Sequence, residues 1–286
     1  MKVIEDIGVL DEEGSEVYLI GNPGFGQTRD TKSVYGQKTP NGSEFLVPQA
    51  IRDYDGLEFR VQGQAFRNTF FLASYTWSRL YGNYSGTANS DENGRSDPGV
   101  SRAFDLPYYY FDSKGTNNTG RLATDRPHAL TFFASRDFKW IGGTTNIGLN
   151  QAVFSGTPFT TQVAYISATT FPGGRGDLGR SPAYIQTDLT ARHTIKVGER
   201  WSIVPEINVI NLTNRAAVSN INNNLQRSGN LTEATLPLST FFAGYDINRL
   251  VNPSNPTPGI FYNPIFNRAI SYQTPREVRL GVRVIF

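Results

Sequence analysis

The stretch Tyr54-Asp55-Gly56-Leu57-Glu58-Phe59-Arg60-Val61-Gln62-Gly63-Gln64-Ala65 decides the fold. Its residues alternate. Leu57, Phe59, Val61, Gly63 and Ala65 take one side; Glu58, Arg60, Gln62 and Gln64 take the other. A period of two is the signature of a strand with one apolar and one polar face. After a turn at Arg67-Asn68 the pattern resumes. Phe71, Ala73, Tyr75 and Trp77 oppose Ser74, Thr76 and Ser78.

The same pattern recurs downstream. Segments are expected at about 128–138, 144–157, 184–197, 201–211 and 278–286. Ile185, Leu189, Ala191 and Ile195 oppose Asp188, Thr190, Arg192 and Lys196. Ile203, Ile207 and Val209 oppose Ser202, Glu206 and Asn208. Val278, Leu280, Val282, Val284 and Phe286 oppose Glu277, Arg279 and Arg283. A weaker pair, Val3–Leu10 and Glu16–Ile20, flanks the turn Asp11–Gly14. Pro205 conflicts with the pattern, because proline removes a ladder donor; a β-bulge there would resolve it.

The connections alternate too. Asp11–Gly14, Arg67-Asn68, Lys139–Gly143 and Gly198–Arg200 are short. Gly21–Asp53, Gly82–Pro127, Pro158–Ala183 and Leu212–Arg276 are long and rich in Gly, Asn, Ser and Pro. Short and long follow one another through the whole chain. A transmembrane β-barrel has this topology, with tight periplasmic turns and extended extracellular loops. Segment lengths suit a tilted membrane strand of about 9–11 residues. Trp140 and Trp201 flank short turns, Phe286 ends at their level, and Tyr75, Trp77 and Tyr81 approach the long-loop end. Two aromatic girdles are expected at such positions.

Composition agrees. Aromatics reach 13% and charged residues only 18%, while mean hydropathy is −0.37. Strands with one apolar face reconcile these values. Lys+Arg is 27 and Asp+Glu is 25, a net charge of +2 that gives no bulk attraction to nucleic acid. There is no cysteine, so disulfides and thiolate metal sites are excluded. No run approaches the roughly 18 apolar residues of a membrane helix. Met1-Lys2-Val3-Ile4-Glu5-Asp6 meets acidic residues too early for a signal peptide. Counting strands back from a periplasmic Phe286 leaves Met1 near the extracellular side. A fragment or a truncated reading frame is therefore expected.

Several motifs carry a family resemblance. Val3-Ile4-Glu5-Asp6-Ile7-Gly8 and Tyr18-Leu19-Ile20-Gly21-Asn22-Pro23-Gly24 stand near the start. Tyr54-Asp55-Gly56-Leu57-Glu58 is followed by Ala73-Ser74-Tyr75-Thr76-Trp77-Ser78-Arg79. Asp125-Arg126-Pro127-His128, Ser155-Gly156-Thr157-Pro158-Phe159 and Asn211-Leu212-Thr213-Asn214 follow, and Val278–Phe286 ends in Phe. In order and spacing they resemble the C-terminal barrel of TonB-dependent outer-membrane receptors of the Oar-like group. The resemblance covers most of residues 1–286. It implies about eight strands of a larger barrel of about 22. It also implies an outer-membrane location, an N-terminal plug that would contact TonB and is absent from these residues, and engagement of the barrel-assembly machinery through the last strand and Phe286. The expected function is non-catalytic substrate uptake, with the substrate unidentified.

On this reading Leu57, Phe59, Val61, Tyr75, Leu189, Ile195, Ile207, Leu280 and Val282 face outer-membrane lipid. Glu58, Arg60, Gln62, Asp188, Arg192, Glu206, Arg279 and Arg283 face the lumen. Substrate would first meet the long loops, whose Tyr108-Tyr109-Tyr110-Phe111 run offers aromatic surface. Two alternatives compete. One is a complete eight-stranded barrel for adhesion or structure. The other is a soluble β-sandwich binding glycan through aromatic loops.

No catalytic, cofactor or metal residue is expected. Gly174-Arg175-Gly176-Asp177-Leu178-Gly179 matches GxGxxG, but Pro172 precedes it and Ser181-Pro182 follows, so a loop turn is expected and not a phosphate cradle. Its Arg175-Gly176-Asp177 adhesion tripeptide is attributed to chance. His128 near Asp125 and Ser135 lacks a nucleophile elbow. His128 and His193 are the only histidines and stand far apart, which disfavours a transition-metal site. Asp91-Glu92 with Asp97 is read as a solvated loop before a Ca²⁺ site. The Asn83-Tyr84-Ser85 sequon carries no weight.

Overall fold

The computed structural model describes residues 5–10, 16–21, 51–66, 68–83, 111–116, 118–140, 142–166, 168–254 and 257–286, with backbone alone at 5–10, 16–21 and 168. The chain is all-β and antiparallel. In order, its elements are β1 (Glu5–Leu10), β2 (Glu16–Gly21), β3 (Arg52–Gln64), β4 (Thr69–Gly82), β5 (Gly120–Arg121), β6 (His128–Trp140), β7 (Gly143–Phe154), β8 (Val163–Tyr165), β9 (Ala168–Thr170), β10 (Tyr184–Val197), β11 (Trp201–Ile210), β12 (Val218–Ile221) and β13 (Gln226–Ser228). Helices α1 (Leu238–Ala243) and α2 (Ile247–Leu250) follow, then β14 (Phe261–Tyr262), β15 (Ala269–Tyr272) and β16 (Glu277–Ile285).

Seven long strands form one sheet in the order β3-β4-β6-β7-β10-β11-β16, with β5 attached to β4. These are the seven clear strands expected from alternation. Each ladder holds one register throughout, from Arg52↔Gly82 to Gln64↔Phe70 in the first hairpin and from Ser202↔Ile285 to Ile210↔Glu277 in the last. Constant register carries one side-chain parity across every strand. Leu57, Trp77 and His128 therefore lie in one row, and Leu149, Leu189, Val209 and Val278 in another.

The row-sharing face is apolar and uncovered. Leu280 is 80% exposed and Val282 70%. Leu57, Phe59, Val61, Trp140, Trp201 and Ile207 are exposed beside them. On the opposite face the exposed large apolar groups reduce to Tyr54, Phe70, Phe133 and Ile285. No second sheet packs on the apolar face among the described residues, as a sandwich would need. Among the described residues the sheet is open: β3 and β16 are its two edges, and no ladder joins them.

Four expectations are corrected. No bulge accommodates Pro205. Its pairing with Val282 on β16 is in register, while the ladder to β10 stops at Arg192↔Glu206 and resumes, unshifted, at Ile195↔Ile203. The ladder skips the missing donor instead of bending around it. The β1–β2 hairpin forms, from Glu5↔Gly21 to Leu10↔Glu16, but as a separate sheet. The third long connection and the last are not plain loops. β8 and β9 lie in one; β12 to β15 and both helices lie in the other.

The main buried cluster sits in the second, third and last long connections and not in the sheet. Phe111, Val163, Tyr165, Phe171, Leu225, Leu231, Leu236, Phe241, Phe242, Val251 and Ile260 form one buried cluster. Tyr165 stacks on Phe241 at 4.8 Å and donates a 2.8 Å hydrogen bond to the Leu236 carbonyl. Phe111 is buried edge-on against Phe242 at 5.7 Å, so it is not the exposed aromatic surface expected of it. Tyr108–Tyr110, the acidic group Asp91, Glu92 and Asp97, and the 11–14 turn fall outside the described residues.

Candidate functional site

Two of the sequence motifs, Asp125–His128 and Ser155–Phe159, meet where strands enter the long connections. Asp125 has no exposed surface. Its carboxylate accepts the Leu80 amide at 2.6 Å and Arg121 at 3.3 Å, and it pairs with Arg180. Arg180 also donates to the carbonyls of Asp125 (3.0 Å) and Gly156 (2.9 Å). One carboxylate thus ties the end of β4, the approach to β6 and the approach to β10. Arg126 donates to the Ser155 carbonyl at 2.8 Å, and the Ser155 hydroxyl accepts the His128 amide at 3.1 Å. Gly156 is required by space: an added Cβ would lie 1.6 Å from the Ser181 carbonyl oxygen.

Asn211 is the counterpart on the last hairpin. It is fully buried, with φ of 51°. Its amide group donates to the carbonyls of Arg215 (2.9 Å) and Thr274 (2.8 Å), and its Oδ1 accepts the Arg215 amide at 3.0 Å. Its backbone amide donates to Asp188 at 2.9 Å. Asn tolerates the left-handed conformation, and here every polar atom of the side chain is used. Asn214 Oδ1 accepts the Arg276 amide at 2.9 Å. Sequence reading singled these residues out by motif; their bracing partners Arg121, Arg180 and Thr274 carried no local signal.

The residues weighed for catalysis are not brought together. His128 shares a 2.8 Å hydrogen bond with the Tyr75 hydroxyl. Ser135 projects to the opposite face by strand parity. His193 bonds to Thr145 instead, also at 2.8 Å. Gly174–Gly179 is a run of turns, as expected. Arg175 donates to the carbonyls of Asn118 (3.1 Å) and Asn83 (2.9 Å), and Asp177 accepts the Thr161 amide at 2.8 Å. The tripeptide's charged groups are therefore spent on stitching connections together.

The polar face carries the charges assigned to it. Glu58 accepts Ser74 at 3.3 Å, Arg60 donates to Gln62 at 3.3 Å, and Arg279 pairs with Glu277 at 2.7 Å. Arg192, Glu206 and Arg283 line a cavity of about 200 Å³ near the short-turn end, with Asp137 and Asn146. Among the described residues no group of three or more His, Cys, Asp or Glu could hold a metal ion, and no helix is long and apolar enough to cross a membrane.

The chain is homologous to the TonB-dependent transporter Oar of Myxococcus xanthus. The two are 28% identical over 294 aligned positions, which cover 99% of this chain and 25% of the relative. The chain thus spans about a quarter of the length of the curated relative it matches. No family model matches, and no solved structure does.

Proposed function

We propose that residues 1–286 are the C-terminal part of an outer-membrane receptor barrel of the TonB-dependent type, serving substrate uptake without catalysis. The carrying observation is the exposed apolar face that runs unbroken in register across seven strands. Water is a poor solvent for such a face; lipid is a good one. Dimensions support it. The 13 residues of β6 span about 40 Å at ~3.3 Å each, or about 30 Å of depth at a 40° tilt, which matches a hydrocarbon core. Aromatics bracket this depth. Trp201 contacts Phe286 (5.5 Å) at the short-turn end, and Trp77, Tyr75 and His128 cluster at the other.

In this reading Leu57, Phe59, Val61, Tyr75, Leu189, Ile195, Ile207, Leu280 and Val282 meet outer-membrane lipid. Glu58, Arg60, Gln62, Asp188, Arg192, Glu206, Arg279 and Arg283 face the lumen. Further strands of the intact barrel cover the β3 and β16 edges, since an uncapped edge invites aggregation. The last strand and Phe286 engage the barrel-assembly machinery. TonB acts only through a plug region outside these residues. Leu280→Arg tests the assignment. It should cost about 2–4 kcal/mol in reversible unfolding from a bilayer. An unchanged unfolding midpoint would remove Leu280 from lipid and the membrane reading with it.

A further inference from the structure

One cleft lies within the layer built by the connections, away from both sheet faces. It has a volume of about 740 Å³. Arg227 and Ser228 on β13, Phe261 and Tyr262 on β14, and Asn252, Pro253 and Pro264 line it. Its walls are held from behind. Val251 and Ile260 are buried in the core cluster. Asn263 donates to the Asn224 carbonyl at 2.9 Å and to Asn222 at 3.0 Å. At the end of the β13–β14 ladder an added Cβ on Gly229 would stand 1.9 Å from the Gly259 carbonyl oxygen, so the two chains touch backbone to backbone.

Two features of the lining bear on what the cleft could hold. Phe261 is 57% exposed although its neighbour Ile260 is buried. The Arg227 side chain has no hydrogen-bond or ion-pair partner among the described residues, and no carboxylate is among the residues that line the cleft. An exposed ring and a guanidinium with no carboxylate beside it, lining one cleft, favour a ligand with both a flat face and an anionic group.

We propose that this cleft binds a ring-bearing carboxylate. Arg227 holds the carboxylate through paired N–H donors, a geometry that guanidinium and carboxylate share. Phe261 and Tyr262 supply ring faces, and Ser228 supplies a neutral polar contact. A uronic-acid sugar and an aryl carboxylate share this chemistry. The inference adds a ligand class to the receptor reading and rests on it for the link to uptake.

The test is calorimetric titration of the full chain, folded in detergent micelles, with four probes: trigalacturonate, benzoate, maltotriose and inorganic phosphate. One of the two carboxylates should bind, and which one identifies the source. Maltotriose and phosphate should bind at least about tenfold more weakly, the worth of one charge-assisted contact. Arg227→Gln and Phe261→Ala should each weaken the bound carboxylate by about tenfold or more. Both side chains are exposed, so near-UV circular dichroism should stay at wild type. Failure of both carboxylates to bind, equal binding of phosphate or maltotriose, or wild-type affinity in folded Arg227→Gln overturns the proposal. None of these results bears on the lipid-facing assignment, which Leu280→Arg tests separately.

Discussion

Asp125 shows how one side chain organises a rim. It has no exposed surface, yet it accepts from one backbone amide and two arginines. A buried carboxylate with this many donors is tolerable; its arginines without it are not. Asp125→Ala strands the Leu80 amide and leaves Arg180 unpaired in charge. The expected loss is about 3 kcal/mol in urea unfolding in micelles; less than about 1 kcal/mol would mean that water replaces the carboxylate easily. Asn211 makes a similar brace through neutral groups. Asn211→Ala forfeits three side-chain hydrogen bonds and places alanine at φ of 51°. A cost of about 2 kcal/mol or more is expected from the buried groups left unpaired.

Among the elements, the last hairpin departs furthest from expectation. β11 and β16 do not end at the sheet. Past the Asn211 brace the same two chain segments pair again as β12–β15, from Val218↔Tyr272 to Ile221↔Ala269, and as β13–β14. The result is one long ribbon with α1 and α2 at its far end. The third connection lies against it, bridged at Gln162↔Asn224 and Tyr165↔Leu231. Their shared core holds Tyr165 and Tyr245, whose phenols burial pushes well above the ordinary 10; Glu233 raises the first further, while for the second a Thr170 hydrogen bond pulls down and Asp112 and Tyr165 push up by less. In each case the folded value exceeds the unfolded one. The stabilisation is therefore complete below about pH 10 and is lost as pH rises through the higher folded values. Protease nicking within residues 158–183 and 212–276 should rise above pH 10, while the sheet keeps its circular dichroism signal. Tyr165→Phe should lessen the effect; equal sensitivity in that variant would assign it elsewhere.

For the whole molecule the governing feature is the difference between the two faces. Adjacent residues on one strand should respond oppositely to the same charge. Ile207 lies on the apolar face and Asn208 on the polar one. In the receptor reading Ile207→Arg should cost about 2–4 kcal/mol in unfolding from liposomes, and Asn208→Arg under about 1 kcal/mol. Similar costs for both would contradict a sheet with lipid on one side and water on the other. Such a sheet also has no need of a core of its own, and the buried cluster lies entirely within the connections.

The amino-acid sequence by itself determined the seven long strands, their hairpin order and which residue faces which side. Each depends on a period of two and on turn residues, which are local properties. Asn68, with φ of 66° in the first short turn, is legible for the same reason. Only the tertiary structure decided what the long connections become. Phe111 meets Phe242, and Tyr165 meets Leu236, across separations that no local pattern encodes. Asp125 reads locally as one acid before a proline; its role exists only because Arg180 reaches it from another connection. Pro205 divides the same way. Its missing donor was visible in the sequence, but whether the ladder bulged or skipped depended on how two neighbouring strands held their register around it.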